Sequence, residues 1–174
     1  GVYIARAELG PEVNGYMSVA NKFLAVVVLL FTIYTMAWQE RAFENANNPE
    51  KGRIYSLEFK RYMDIMGAVI ICCLVGADII YPFYITNVEY SLARVLLPIF
   101  LGTGYMMSVS AFQGVLYGAE KKNHIVVWSS IAGCISSAAF VYVSLPYCGI
   151  YAVPWGLLFG MTINTVCRYS YLHF

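Results

Sequence analysis

Few residues in this chain are of a type that does chemistry, and those few sit in apolar surroundings. Lys22, Asp78, Arg94, Gln113 and Asn164 each lie inside, or at the rim of, a long apolar run. Ionisable side chains are costly in hydrocarbon and normally face a cavity or a partner. Lys22 therefore reads in two ways: as an anchor that snorkels to the interface, or as a positive group in an outward vestibule that meets an anionic substrate. Arg94 carries the same two readings. A lysine is a mobile point charge, whereas an arginine grips phosphate through two parallel hydrogen bonds. Asp78 is expected either to pair with Lys22 or Arg94, or to bind a coupling cation or proton. Gln113 and Asn164 lie deep in their runs. They are expected to hydrogen-bond between helices, with lining of a polar cavity as the other role.

No catalytic constellation accompanies them. GxSxG, HExxH, the P-loop and GxGxxG are all missing from the sequence. His124 and His173 fall in a loop and in the tail. The five cysteines (Cys72, Cys73, Cys134, Cys148 and Cys167) form no CxxC and have no histidine at ligand spacing. They are expected to pack as small apolar side chains. The expectation is a protein that is not an enzyme, with no catalytic residues, metal site or cofactor. The net charge of +1 is neutral on this point, but the sequence has no basic block of the kind that tracks phosphates, and no nucleic-acid partner is expected.

The elements that must position these residues are membrane spans. The chain is 60% hydrophobic and only 12% charged, with a mean hydropathy of +0.63. Soluble domains carry about twice that charge. About 20 apolar residues cross a hydrocarbon core as a helix. The expected fold is an all-α, polytopic transmembrane bundle. Its five complete spans are at about 19–38, 62–83, 92–118, 125–144 and 150–168, and the stub Val2–Ala7 is the tail of a further span. Turn residues mark Glu8–Ser18, the middle of the polar segment Gln39–Arg61, Tyr117–His124 and Leu145–Gly149. Ile54–Met66 is expected to be a surface helix leading into the second span. Trp38, Trp128, Trp155 and many of the 15 tyrosines fall near span ends, as in interfacial aromatic belts.

Lysine and arginine set the orientation. Arg41, Lys51, Arg53, Lys60, Arg61, Lys121, Lys122 and Arg168 fall on one side, and Arg6, Lys22 and Arg94 on the other. The positive-inside rule makes the first side, with the C-terminus, cytoplasmic. The chain lacks the pattern of a signal peptide. It reads as a single membrane domain over 1–174 and as the C-terminal part of a longer protein.

GYMSVANKF, an apolar span and then AWQERAFE together resemble the second half of bacterial oligosaccharide flippases. These belong to the multidrug, oligosaccharidyl-lipid and polysaccharide exporter superfamily. Gly15, Ser18, Ala20, Lys22, Ala37, Trp38 and Gln39 carry the likeness. YGAEKKNHIVVWSSIAGCISS and LPYCGIYAV resemble that family's final loop and hairpin, matched at Pro146, Gly149, Ile150 and Ala152. Tyr151 and Ser137 depart from its glycine and asparagine. The resemblance implies the C-terminal lobe of a two-lobed transporter of the bacterial cytoplasmic (inner) membrane. Such a protein moves a polyprenyl-pyrophosphate-linked oligosaccharide, for O-antigen, lipopolysaccharide or other polysaccharide biosynthesis, across the membrane by alternating access. In that setting Lys22, Arg94 and Gln113 would meet the substrate. Asp78 and Asn164 would couple H+ or Na+, or would pair structurally. Its partners would be the lipid-linked oligosaccharide, membrane lipids and glycan polymerases. Two other readings stay open: a cation-coupled multidrug or small-molecule antiporter of the same superfamily, and a non-transporting scaffold of a glycan assembly complex.

Overall fold

The computed structural model describes residues 11–84 and 91–171, with side chains over 21–77, 79 and 94–171. The stub Val2–Ala7, the 85–90 loop, His173 and the side chain of Asp78 lie outside the described residues. All the regular structure described is helical. The helices are α1 (Pro11–Glu44), α2 (Lys51–Tyr84), α3 (Ser91–Ala119), α4 (Asn123–Cys148) and α5 (Ala152–Tyr169). Short 3-10 turns at Asn45–Asn47 and Gly149–Tyr151 follow α1 and α4.

Among the described residues, three segments are long and apolar enough to cross a membrane: Asn21–Asn47, Arg94–Ala119 and Asn123–Tyr169. The third is a hairpin of α4 and α5. Val26, Leu29, Ile33 and Met36 on α1, and Val127, Ile131 and Ile135 on α4, are exposed. Such outward apolar faces suit a lipid solvent. Hydroxyls inside the apolar helices bond back to their own backbone, as Thr32 does to the Val28 carbonyl, Thr103 to Ile99 and Thr162 to Leu158. This satisfies them without water.

Contacts between the helices fix their directions. Leu24 and Val27 meet Gly104, and Phe43 lies near Gly118, so α1 and α3 run parallel. Lys51 reaches Glu120 while Tyr62 reaches Ser108, so α2 runs opposite to α3. Leu158 approaches Gly102 and Arg168 approaches Ser110, so α5 is parallel to α3. Gly133 meets Gly160 and Val141 meets Gly156, so α4 is antiparallel to α5. The helix α3 is the axis: 56% of its most apolar stretch is buried, against 17% for each of the other two candidate segments.

Several expected boundaries move. Pro11–Ser18 is the opening of α1, not a turn. Proline fits a first helical turn, where its missing N–H has no intrahelical partner anyway. Ile54–Met66 is continuous with the span that follows it. The Leu145–Gly149 turn shrinks, because α4 runs through Pro146 to Cys148 and the chain reverses at Gly149, whose φ of 51° suits glycine. Trp38 is no belt residue. It is 4% exposed and stacks on Phe112 with ring centroids 5.8 Å apart. Tyr55, Tyr62 and Tyr117 are also buried, whereas Trp128 and Trp155 are exposed. The five cysteines are free thiols; Cys72, Cys134 and Cys148 are exposed and the other two are half-buried.

Candidate functional site: a buried polar cluster

The residues that look most like a site lie where α3, α4 and α5 meet. Positions 110, 113, 114 and 117 of α3 are three, four and seven residues apart, which places them on one helical stripe. They are Ser110, Gln113, Gly114 and Tyr117. Asn164, Thr165 and Arg168 follow the same rule on α5.

Arg168 is only 5% exposed. Its Nε donates to Ser129 Oγ at 2.9 Å, and its Nη2 to Ser130 Oγ at 3.0 Å and to the Val126 carbonyl at 3.4 Å. Its Nη1 donates to the Ser110 carbonyl. One guanidinium thus ties α5 to α4 and to α3. Gly114 lies beside the guanidinium, where a Cβ would sit 3.4 Å from Nη1. Tyr117 closes the cluster by donating to the Arg168 carbonyl. One turn along α5, Asn164 Nδ2 donates to Ser110 Oγ at 3.1 Å. Thr165 donates to the Met106 carbonyl at 3.3 Å.

Arg168, expected in an interfacial tail, instead has its side chain buried in the bundle. Among the described residues, no carboxylate pairs with it. Its charge is held by neutral oxygens alone.

Gln113 departs from expectation. It is fully buried, and among the described residues neither its Oε1 nor its Nε2 has a hydrogen-bond partner, so the expected bond to another helix is not made there. Asn164 makes such a bond through Nδ2, while its Oδ1 has no partner among the described residues. Lys22 is exposed on α1 and Arg94 is exposed near the start of α3. The parallel course of α1 and α3 puts both at the same end of the bundle. Neither lines the grooves described here. No cluster of His, Cys, Asp or Glu among the described residues could hold a metal.

No protein-family model matches the chain, and neither do any curated proteins or solved structures.

Two grooves flank the cluster. One, of about 460 Å³, runs along α4 and α5 and is lined by Ser130, Gly133, Ser137, Gly160 and Asn164, among others. Its glycines let α4 and α5 pack closely: a Cβ on Gly160 would lie 2.5 Å from Ser137 Cβ and 2.6 Å from the Gly133 carbonyl. The other, of about 470 Å³, is bounded by His124, Trp128, Ser129, Cys167 and Tyr171 at the opposite face of the same hairpin. The sequence carried a signal for Arg168, namely a cation four residues beyond Asn164 at the end of an apolar run. An arginine at a span end is more often interfacial, which hid its burial.

Proposed function

We propose that this chain is the C-terminal lobe of a bacterial oligosaccharide flippase, which moves a polyprenyl-pyrophosphate-linked oligosaccharide across the cytoplasmic membrane by alternating access. The observation that carries this reading is the unsatisfied polarity inside the bundle. Gln113 offers two buried polar atoms with no partner, and Asn164 offers a third. A buried polar group left unpaired costs about 1–3 kcal/mol. A static scaffold would gain nothing from that cost. A lobe that alternates between two arrangements satisfies in one state what is unpaired in the other. The resemblance in GYMSVANKF, AWQERAFE and LPYCGIYAV supplies the substrate class. In this reading Lys22 and Arg94 stand at the outward rim and attract the pyrophosphate. Asp78 is the candidate for ion coupling.

The test is Gln113→Leu in the complete protein, expressed in cells that lack their own copy. Surface polysaccharide is expected to fall severalfold while the protein inserts normally and unfolds at the same or a higher temperature. Wild-type levels of surface polysaccharide would sink the transport role of this residue.

A further inference from the structure

A third groove, of about 350 Å³, lies between α1 and α2 and is built differently from the other two. Tyr34, Trp38 and Arg41 line it from α1, and Glu58, Arg61 and Ile65 from α2. These helices touch each other much less than either touches α3, so the groove stays open between them. Its floor is fixed. Trp38 is held by the stacked ring of Phe112 and by the edge of Tyr55, and the Tyr34 ring lies 4.9 Å from that of Tyr62. Tyr34 donates to Glu58 Oε2 at 3.3 Å.

Two guanidinium groups and one carboxylate share this groove, a net charge of one positive. Among the described residues, neither Arg41 nor Arg61 forms an ion pair. Both are exposed. The groove also sits at a defined depth. Trp38 closes the uncharged run 23–39, and Arg61 stands just before the apolar stretch of α2. In a bilayer, that boundary is where headgroup phosphates lie. Arginine binds phosphate through paired, charge-assisted hydrogen bonds, and basic pockets between membrane helices recruit anionic headgroups.

We propose that this groove binds the phosphate-ester headgroup of an anionic lipid. Arg41 and Arg61 take the phosphate, Glu58 accepts a hydrogen bond from a headgroup hydroxyl, and Tyr34 and Trp38 form the wall beneath. The carboxylate selects a phosphate that carries a neighbouring donor over a bare one. The inference requires only that the chain lies in a membrane; it stands whether or not the chain transports anything.

The purified full chain, in detergent, is titrated with phosphatidylglycerol and bound lipid is read by native mass spectrometry. One saturable lipid is expected, retained over phosphatidylcholine. The Arg41→Gln/Arg61→Gln variant should weaken retention by about tenfold or more, equivalent to about 1.4 kcal/mol. Lys60→Gln changes an exposed cation outside the groove and should have no effect. All three substitutions are on exposed side chains, and circular dichroism confirms that helix content is kept. Equal retention by the double variant, or an equal loss in Lys60→Gln, overturns the site in favour of diffuse surface charge. Displacement by glycerol 3-phosphate at equal concentration overturns the lipid as its source and leaves a site for free phosphate esters.

Discussion

The two sides of α3 bury very different material. Towards α1 and α2, Phe112 is enclosed by Trp38, Phe59 and Tyr62, with ring centroids 4.9–5.8 Å apart. Towards α5, Ser110 and Tyr117 meet Asn164 and Arg168. The aromatic side gains from packing, which is insensitive to small shifts of direction. The polar side gains from hydrogen bonds, which need a fixed geometry; among the described residues both sides keep a buried polar atom without a partner, Trp38 Nε1 on the one and Asn164 Oδ1 on the other. Within one helix, nearly half a turn separates an adhesive face at Phe112 from a selective one at Ser110 and Tyr117. The lesson is that α3 serves as an anchor on the α1–α2 side and as a keyed joint on the α4–α5 side.

The largest expected effect tests the adhesive side. Phe112 is fully buried, and truncating a buried phenylalanine costs about 3–5 kcal/mol. Phe112→Ala should lower the unfolding free energy in detergent by about 3 kcal/mol, read by denaturant titration of helical signal. A loss below about 1 kcal/mol would mean that the aromatic cluster holds little together.

The keyed side should respond to geometry more than to charge. Arg168 makes four interhelical hydrogen bonds, and such bonds average about 0.6 kcal/mol each in membrane proteins. Arg168→Gln should therefore cost about 2 kcal/mol. Arg168→Lys should cost about the same, because a lysine cannot span Ser110, Ser129 and Ser130 with one ammonium group. Full rescue by lysine would show that the charge matters and the fork does not.

The smallest effect concerns the end of α3. Glu120 accepts from Lys122 at 2.8 Å and from Lys51 at 3.2 Å. The Lys122 hydrogen bond, helped by Lys51 and partly opposed by burial, holds this carboxyl below its usual range. A depressed folded-state value means that its contribution is present above the ordinary glutamate value of about 4.3. That contribution is lost as pH falls through the folded-state value. Both lysines are about half exposed, so the effect should stay below about 1 kcal/mol. Glu120→Gln should flatten the acid limb of a stability–pH profile by that amount. An unchanged profile would assign no net stability to this tie between α2 and α3.

Much of the architecture was written in one dimension. The uncharged runs set where the helices lie, because hydrocarbon rejects charge and unpaired backbone alike. The connections fall within the polar segments 39–61 and 117–124 but are shorter, at 45–50 and 120–122, because the helices extend into both, and the chain reverses at Gly149. An all-helical fold with apolar segments of membrane-crossing length follows from those patterns. The sequence also singled out Gln113 and Asn164 as polar residues within apolar runs.

Burial in three dimensions was another matter. Trp38 at a span end and Arg168 at another have the composition of interfacial residues. Whether such a side chain turns outward to headgroups or inward to a neighbour depends on which helix lies beside it. Only the tertiary structure decided that α3 is central, that Trp38 stacks on Phe112, and that Arg168 finds Ser110, Ser129 and Ser130. Local sequence determines which residues tolerate hydrocarbon; the packing of distant helices determines which polar groups find partners there, because those partners are 38 to 58 residues away along the chain.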